Sequence, residues 1–467
     1  MVIICFFNIF LKRRIKMMKK VVSLLLLAVL SVSLVSCESN SAKSDVTEVR
    51  IWSNSKHSKA VMTKLADNWN NTTGKEKKIK IVYEIRENIS SDVDMAMSAG
   101  NAPEMFGYLS AGHAMDGKIV ALEDTKEGKK LLESYPEELC NGFKINGKTY
   151  SLPFSAATRG LIYNKDMFKA AGIVDEKGEA KPPVTWDELV ADAKKLTNVS
   201  KDEYGIVFPM KWDTWVTSDM LSPGFSSVGF DGYNPVTGKY DYTGYEPVFN
   251  AILQIKKDKS FLPGAEGLDN DPARAKFAEG KIGMKFAFSW DVGVLNDQFP
   301  AKCDWGVAEY PVVDADNKYK QLMSINGDMA INKAAADKIG IDKIMEVYKW
   351  YYSDEVITEL YKNCMEIPVI PERVKDKKLV KNKKGWKDFC DLVNISTVKP
   401  AGKPTDTSGQ TDLKSDFINK VWPGDISVKE ALNNYTKILN DGVKKYKELH
   451  PEEDMEQYVN KNWNIKR

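Results

Sequence analysis

Along this 467-residue chain the apolar positions switch between a period of two and a period near 3.6, so strands and helices are expected in turn. Val46–Trp52, Lys78–Ile85 and Met105–Leu109 read as strands. A helix ending near Trp69 and another over Ser90–Ala99, closed by Gly100, lie between them. Such alternation predicts a parallel, doubly wound sheet. Asn146-Gly147 signals a hairpin, because both central residues of that turn need positive φ. Thr149–Leu152 then alternates polar and apolar, and Pro153, which cannot donate to a ladder, ends it. Gly160–Tyr163 is a more apolar strand. Asn164 caps a short helix over Lys165–Ala171 that Gly172 stops. Thr185 caps the next helix, with Glu188 in the capping-box position and Leu189, Ala193 and Leu196 on one face. Further strands are expected at Tyr204–Pro209, Ile282–Phe288, Asp304–Val312 and Ser324–Asn332. Further helices are expected at Phe249–Lys259, as one long helix over Asp337–Tyr352, and through the last 40 residues, Val428–Leu439 among them.

Length changes the picture next. A chain of 467 residues outgrows one core, so two lobes are expected. The first 36 residues stand apart from both. Lys19 and Lys20 precede an apolar run, Val21–Val35, of signal-peptide length, and a complete signal starts at Met17 or Met18, so the true start is open. Leu34-Val35-Ser36-Cys37 resembles a bacterial lipobox, which makes Cys37 the expected lipidation site. Residues 37–45 are a polar tether. Removing the leader leaves 61 basic against 65 acidic residues, a net charge of about −4, so attachment to a membrane falls to the lipid rather than to charge. Nothing in that balance calls for nucleic acid. Cys140, Cys303, Cys364 and Cys390 lack CxxC spacing; disulfides and free buried thiols both remain open. Six lysines crowd into Lys375–Lys384, which reads as a solvated loop.

The segment around the hairpin carries a resemblance. Gly147-Lys148-Thr149-Tyr150, Pro153, Tyr163-Asn164-Lys165-Asp166, Phe168, Ala171-Gly172 and Thr185-Trp186-Asp187-Glu188-Leu189 stand in the order seen in bacterial extracellular solute-binding proteins of family 1, the maltose-binding-protein-like carbohydrate binders. Ala99-Gly100 with Pro103 and Glu104, where the family has Asp, adds to it. So do Phe277, Gly280-Lys281, Met284 and Trp290. Together these marks cover about Val46 to Leu439. The resemblance implies an α/β, periplasmic-binding-protein-like fold: two doubly wound lobes joined by a multi-strand hinge, with a ligand cleft between them. It implies an N-terminal lobe of 46–153 plus 322–372 and a C-terminal lobe of 154–321 plus 373–467. The chain would cross near Leu152–Ser155, Lys320–Ser324 and Pro371–Lys375. It further implies a monomeric, lipid-anchored protein that captures a sugar or oligosaccharide and delivers it to the permease subunits of an ABC transporter.

Ligands of open α/β sheets bind beyond the carboxyl ends of strands. Sugars need flat aromatic faces and charged or polar groups for their hydroxyls. Candidate ligand-binding residues are therefore those that follow strands: Trp290, Trp212, Trp215 and Tyr108 as aromatic faces, and Asp328, Asn326, Asn54 and Arg159 as polar partners. No metal or cofactor is implied, since His57, His113 and His450 are far apart and without ligand spacing. No G-x-S-x-G or phosphate-binding loop is present, and no eightfold βα repeat suggests a glycosidase barrel. Two alternatives remain: a ligand-sensing lipoprotein for a membrane receptor, and a surface glycan-active enzyme.

Overall fold

The computed structural model describes residues 45–327, 329–379 and 381–467. In chain order its principal elements are β1 (Thr47–Ser53), α1 (Lys59–Trp69), β2 (Ile79–Ile85), α2 (Ile89–Ser98), β3 (Met105–Gly107), β4 (Ser155–Ala157), β5 (Arg159–Asn164), α3 (Trp186–Leu196) and β6 (Tyr204–Ile206). There follow α4 (Glu246–Lys257), α5 (Asn270–Ala278), β7 (Ile282–Phe288), β8 (Trp305–Ala308), β9 (Ser324–Asn326), β10 (Met329–Ile331), α6 (Ile341–Tyr351), α7 (Asp354–Lys362), β11 (Ile367–Pro368) and α8 (Val428–Leu449).

The local signals act as physics requires. Asn146 and Gly147 both take positive φ, 48° and 76°. Thr185 Oγ1 accepts from the Glu188 amide while the Glu188 carboxylate accepts from Thr185, closing the box that starts α3. That helix lays Trp186, Leu189, Ala193 and Leu196 on the second lobe.

Each lobe has one four-stranded sheet: β10-β3-β1-β2 in the first and β8-β5-β7-β6 in the second. A three-stranded sheet, β9-β4-β11, joins them, with Ile325 and Ile367 both paired to Ala156. The third strand of this joining sheet is Ile367–Pro368. β1 runs parallel to β3, and β6 parallel to β7, but β10 and β5 are antiparallel to their neighbours. The cause is topological. Both follow directly on a connecting strand, so they enter their sheets from the edge at which the other strands end.

Glu104, which replaces the family's Asp, secures the first sheet: its carboxylate accepts from the Arg50 amide at 2.7 Å and from Arg50 Nε at 3.1 Å. Three expectations are corrected. The long helix over Asp337–Tyr352 is two, Lys333–Ile339 and α6, because Gly340 between them sits at φ 94°. The C-terminal helix ends at Leu449, and the rest of the chain lies along the second lobe: Trp463 Nε1 donates to Gly229 O, and Lys320 N donates to Ile465 O. The lysine loop is not wholly solvated, since Lys383 is buried and ion-paired with Asp297. The four cysteines in the described residues are free.

Candidate ligand-binding site

Because β6 and β7 are parallel, both release the chain at the same edge of the second sheet. β5 begins at that edge, and its first residue, Arg159, pairs with the last residue of β7, Phe288. Phe288 is therefore met from three sides. Trp290 stacks on it with ring centroids 4.4 Å apart and planes at 8°. Trp212, from the segment after β6, meets it edge-on at 6.0 Å. The Arg159 guanidinium lies 5.0 Å from its ring centroid. Phe288 is buried, while Trp212 and Trp290 are half-buried and keep an open aromatic surface. α5 runs antiparallel into β7, so its N-terminus reaches the same edge. Between it and the two tryptophans opens a cavity of about 470 Å³, its polar lining being Asp269, Asn270, Asp271 and Arg274.

A group of buried charges supports this floor. Asp291 is 1% exposed; its Oδ2 accepts from the Phe288 amide at 3.1 Å, closing the turn that carries Trp290. Arg274 ion-pairs with Asp291 and also with Asp271 at 2.6 Å, tying that turn to α5. Behind them Lys285 is fully enclosed and donates to Phe286 O; burial pulls its pKa down against the opposing pull of Asp291 and Asp219. Burial pushes the Asp219 carboxyl up to about 7, offset in part by Lys285. Buried charges of this kind are costly unless paired, and they hold geometry rather than add net stability.

The profile of the bacterial extracellular solute-binding proteins matches residues 54–357. The chain belongs to this family. A maltotriose-binding protein of Pyrococcus abyssi is 26% identical over 357 residues, covering 74% of this chain and 69% of that protein. An sn-glycerol-3-phosphate-binding periplasmic protein of Brucella abortus is 28% identical over 208 residues, covering 42% of this chain and 45% of that protein. The fold matches an ABC substrate-binding protein of Listeria monocytogenes in complex with cycloalternan, with a TM-score of 0.65, 19% identity, and 85% of this chain and 98% of that one covered. It also matches the maltodextrin-binding domain of Bdellovibrio bacteriovorus bound to maltotriose, with a TM-score of 0.64, 18% identity, and coverage of 85% and 100%.

Within this solute-binding fold the candidate residues part company. Trp290, Trp212 and Arg159 come together around Phe288. Trp215 does not: it is fully buried and packs on Phe208, Phe417 and Trp422 in the core of the second lobe, so it is no ligand contact. The tight turns over 209–215, in which Pro209 O accepts from Trp212 and Trp212 O from Trp215, send the two indoles to different environments. Arg159 makes no salt bridge among the described residues. Its Nη2 donates to Ser324 Oγ at 2.6 Å, its Nη1 to Ser222 Oγ, and burial lowers its pKa. Tyr108 and Asn54 follow strands of the first lobe. Tyr108 is half-buried and edge-on to His113 at 5.9 Å; Asn54 is exposed. Asn326 is in the joining sheet, exposed, with its amide donating to Ser155 Oγ at 3.3 Å. Asp328 and Cys37 lie outside the described residues.

Sequence reasoning missed Phe288, Asn270, Arg274 and Asp291 in the second lobe. In the first it missed Trp52, over which the Arg86 guanidinium lies at 4.0 Å. For Phe288 and Trp52 a signal existed, since both are aromatics in the last two positions of a strand. The other three had none.

Proposed function

We propose that this protein captures a sugar or oligosaccharide outside the cell and delivers it to the permease subunits of an ABC transporter. It works as a monomer held to the membrane by a lipid on Cys37, with no catalytic activity and no cofactor. The observation that carries this reading is the Trp290–Phe288–Trp212 platform at the strand ends, facing a cavity with a polar rim. Flat indoles suit the C–H face of a pyranose, and the rim suits its hydroxyls. Maltotriose, which the Pyrococcus abyssi relative binds and the Bdellovibrio bacteriovorus structure holds, is a ligand of this kind.

The lobes are taken as 46–153 with 322–372 and 154–321 with 373–467, moving about the β9-β4-β11 sheet. A ligand that contacts both lobes only when they close favours closure through that difference in affinity alone. The closed form then docks on the permease. Among the described residues no helix is long and apolar enough to cross a membrane.

The test is a thermal-shift screen of the purified full chain in detergent against neutral mono- and oligosaccharides. At a hundred times Kd a ligand adds about 2.7 kcal/mol, which moves a melting curve visibly. A sugar that stabilises should also bind with one-to-one stoichiometry by calorimetry. A panel without any hit sinks the carbohydrate reading.

A further inference from the structure

We propose that Asn270 reads the ligand. Its carboxamide takes one hydroxyl of a ring lying on Trp212 and Trp290, Arg274 Nε takes the neighbouring hydroxyl, and the rim rejects acidic sugars. The inference rests on the carbohydrate reading above and narrows it to neutral rings.

Two unsatisfied groups carry the argument. Asn270 is only 7% exposed and lines the cavity, and its Oδ1 has no hydrogen-bond partner among the described residues. Helix capping does not account for it. Asp269 is the cap of α5, with Oδ1 accepting from the Asn270 amide at 2.8 Å, so the Asn270 side chain is free of that duty. Arg274 also lines the cavity. Its two terminal nitrogens are engaged by Asp271 and Asp291, yet its Nε is buried without a partner among the described residues. Positions 270 and 274 are one helical turn apart and share a face. An acceptor and a donor, both enclosed, therefore lie one turn apart on residues that line the cavity, with no bond between them. Buried polar groups left in this state are rare and ask for a partner. A hydroxyl both donates and accepts, so two adjacent ring hydroxyls satisfy both groups at once.

Charge sets the class of ring. Arg274 is already balanced by Asp291 beneath it. Asp269 and Asp271 are exposed at the rim. An entering carboxylate, sulfate or phosphate meets two carboxylates at this rim, while the Arg159 guanidinium beside Phe288 already donates to Ser222 and Ser324. Neutral rings meet acceptors for their hydroxyls.

The experiment measures binding by calorimetry on the full chain in detergent, with maltotriose and cellotriose as neutral probes and trigalacturonate as the acidic one. Expected is binding of at least one neutral trisaccharide, with trigalacturonate at least a hundredfold weaker. Asn270→Leu, similar in size but without the amide, should weaken the neutral sugar tenfold or more. Asn270→Asp, which keeps an acceptor, should restore most of the affinity. Should Asn270→Leu fold poorly, the Asn270→Asp variant and wild-type binding of analogues lacking single hydroxyls decide. One deoxy analogue should lose about tenfold in wild type and in Asn270→Asp, and nothing further in Asn270→Leu. Wild-type affinity in Asn270→Leu, or equal binding of trigalacturonate, overturns this inference and leaves the carbohydrate reading standing. Failure of every sugar to bind wild type overturns both.

Discussion

Replacing Trp290 by alanine separates the proposed site from the core beside it, because Trp215 offers a matched control. The Trp290 indole stacks on Phe288 at 4.4 Å and also borders the cavity. In the free protein the truncation removes one stacked aromatic pair, worth about 0.5–1.5 kcal/mol beyond its area. In the complex it also removes the main apolar face against the ring. Anchor residues of that kind cost about 2 kcal/mol or more, roughly thirtyfold in Kd at 1.4 kcal/mol per decade. Trp215 is fully enclosed by Phe208, Phe417 and Trp422, so Trp215→Ala should cost about 3–5 kcal/mol of stability. Its effect on affinity, measured well below its melting point, should be small.

The assay pairs denaturant or thermal melts with calorimetry, using the neutral sugar that binds best. Trp290→Ala should lose affinity and little stability, and Trp215→Ala the reverse. Tryptophan fluorescence gives an independent view, since a ring on Trp290 should change its emission, and the change should vanish in Trp290→Ala. Binding by Trp290→Ala within threefold of wild type, with as much stability lost as in Trp215→Ala, would place Trp290 in the core and out of the site.

Cys37→Ala should move the protein from the membrane fraction to the medium, checked by fractionation; retention at wild-type level would refute the lipid anchor. Asp291→Asn breaks the buried pair with Arg274 and should cost about 3–5 kcal/mol of stability, as removing one partner of a buried pair does. Adding Arg274→Met should recover much of the stability in melts but not the affinity, since the turn carrying Trp290 loses its tie to α5. His57 gives a pH dependence. Burial and Lys383 lower its pKa, but the hydrogen bond and charge of Glu366, 2.7 Å away, prevail and raise it above the usual 6.5. A raised folded-state pKa contributes stability that is full below the unfolded value and is lost as pH rises through the folded one. The stability difference between wild type and His57→Gln should therefore be larger at pH 5.5 than at pH 8.5 in melts. A difference independent of pH would show that the ion pair does not contribute.

What could be read in the sequence divides by the distance to the partner that decides it. The Asn146-Gly147 turn and the Thr185–Glu188 box were legible because each closes on itself within four residues. Trp290 was legible as a strand-end residue because parallel strands must release the chain at one edge. Trp212 and Trp215 look alike in sequence, both in polar company after the same strand. What separates them is Phe417 and Trp422, some two hundred residues later, which claim Trp215 for the core. Phe288 became a hub only through the antiparallel register that sets it opposite Arg159, and antiparallel pairing was not expected there.

The strand β7 makes the same point for charge. Alternation sends a lysine at position 285 to solvent, yet all seven residues of β7 are buried. The sheet is covered on both faces, so no position in its centre is an outside one. Asp219 and Asp291, arriving from other elements, oppose the cost of burying Lys285 there. Asp291 in turn closes the turn that carries Trp290. A charged residue in the middle of a doubly covered strand is thus a sign, readable once the strand is known to be central, that carboxylates will be found near it. Here they lead to Asp291, Arg274 and the wall that Asn270 completes.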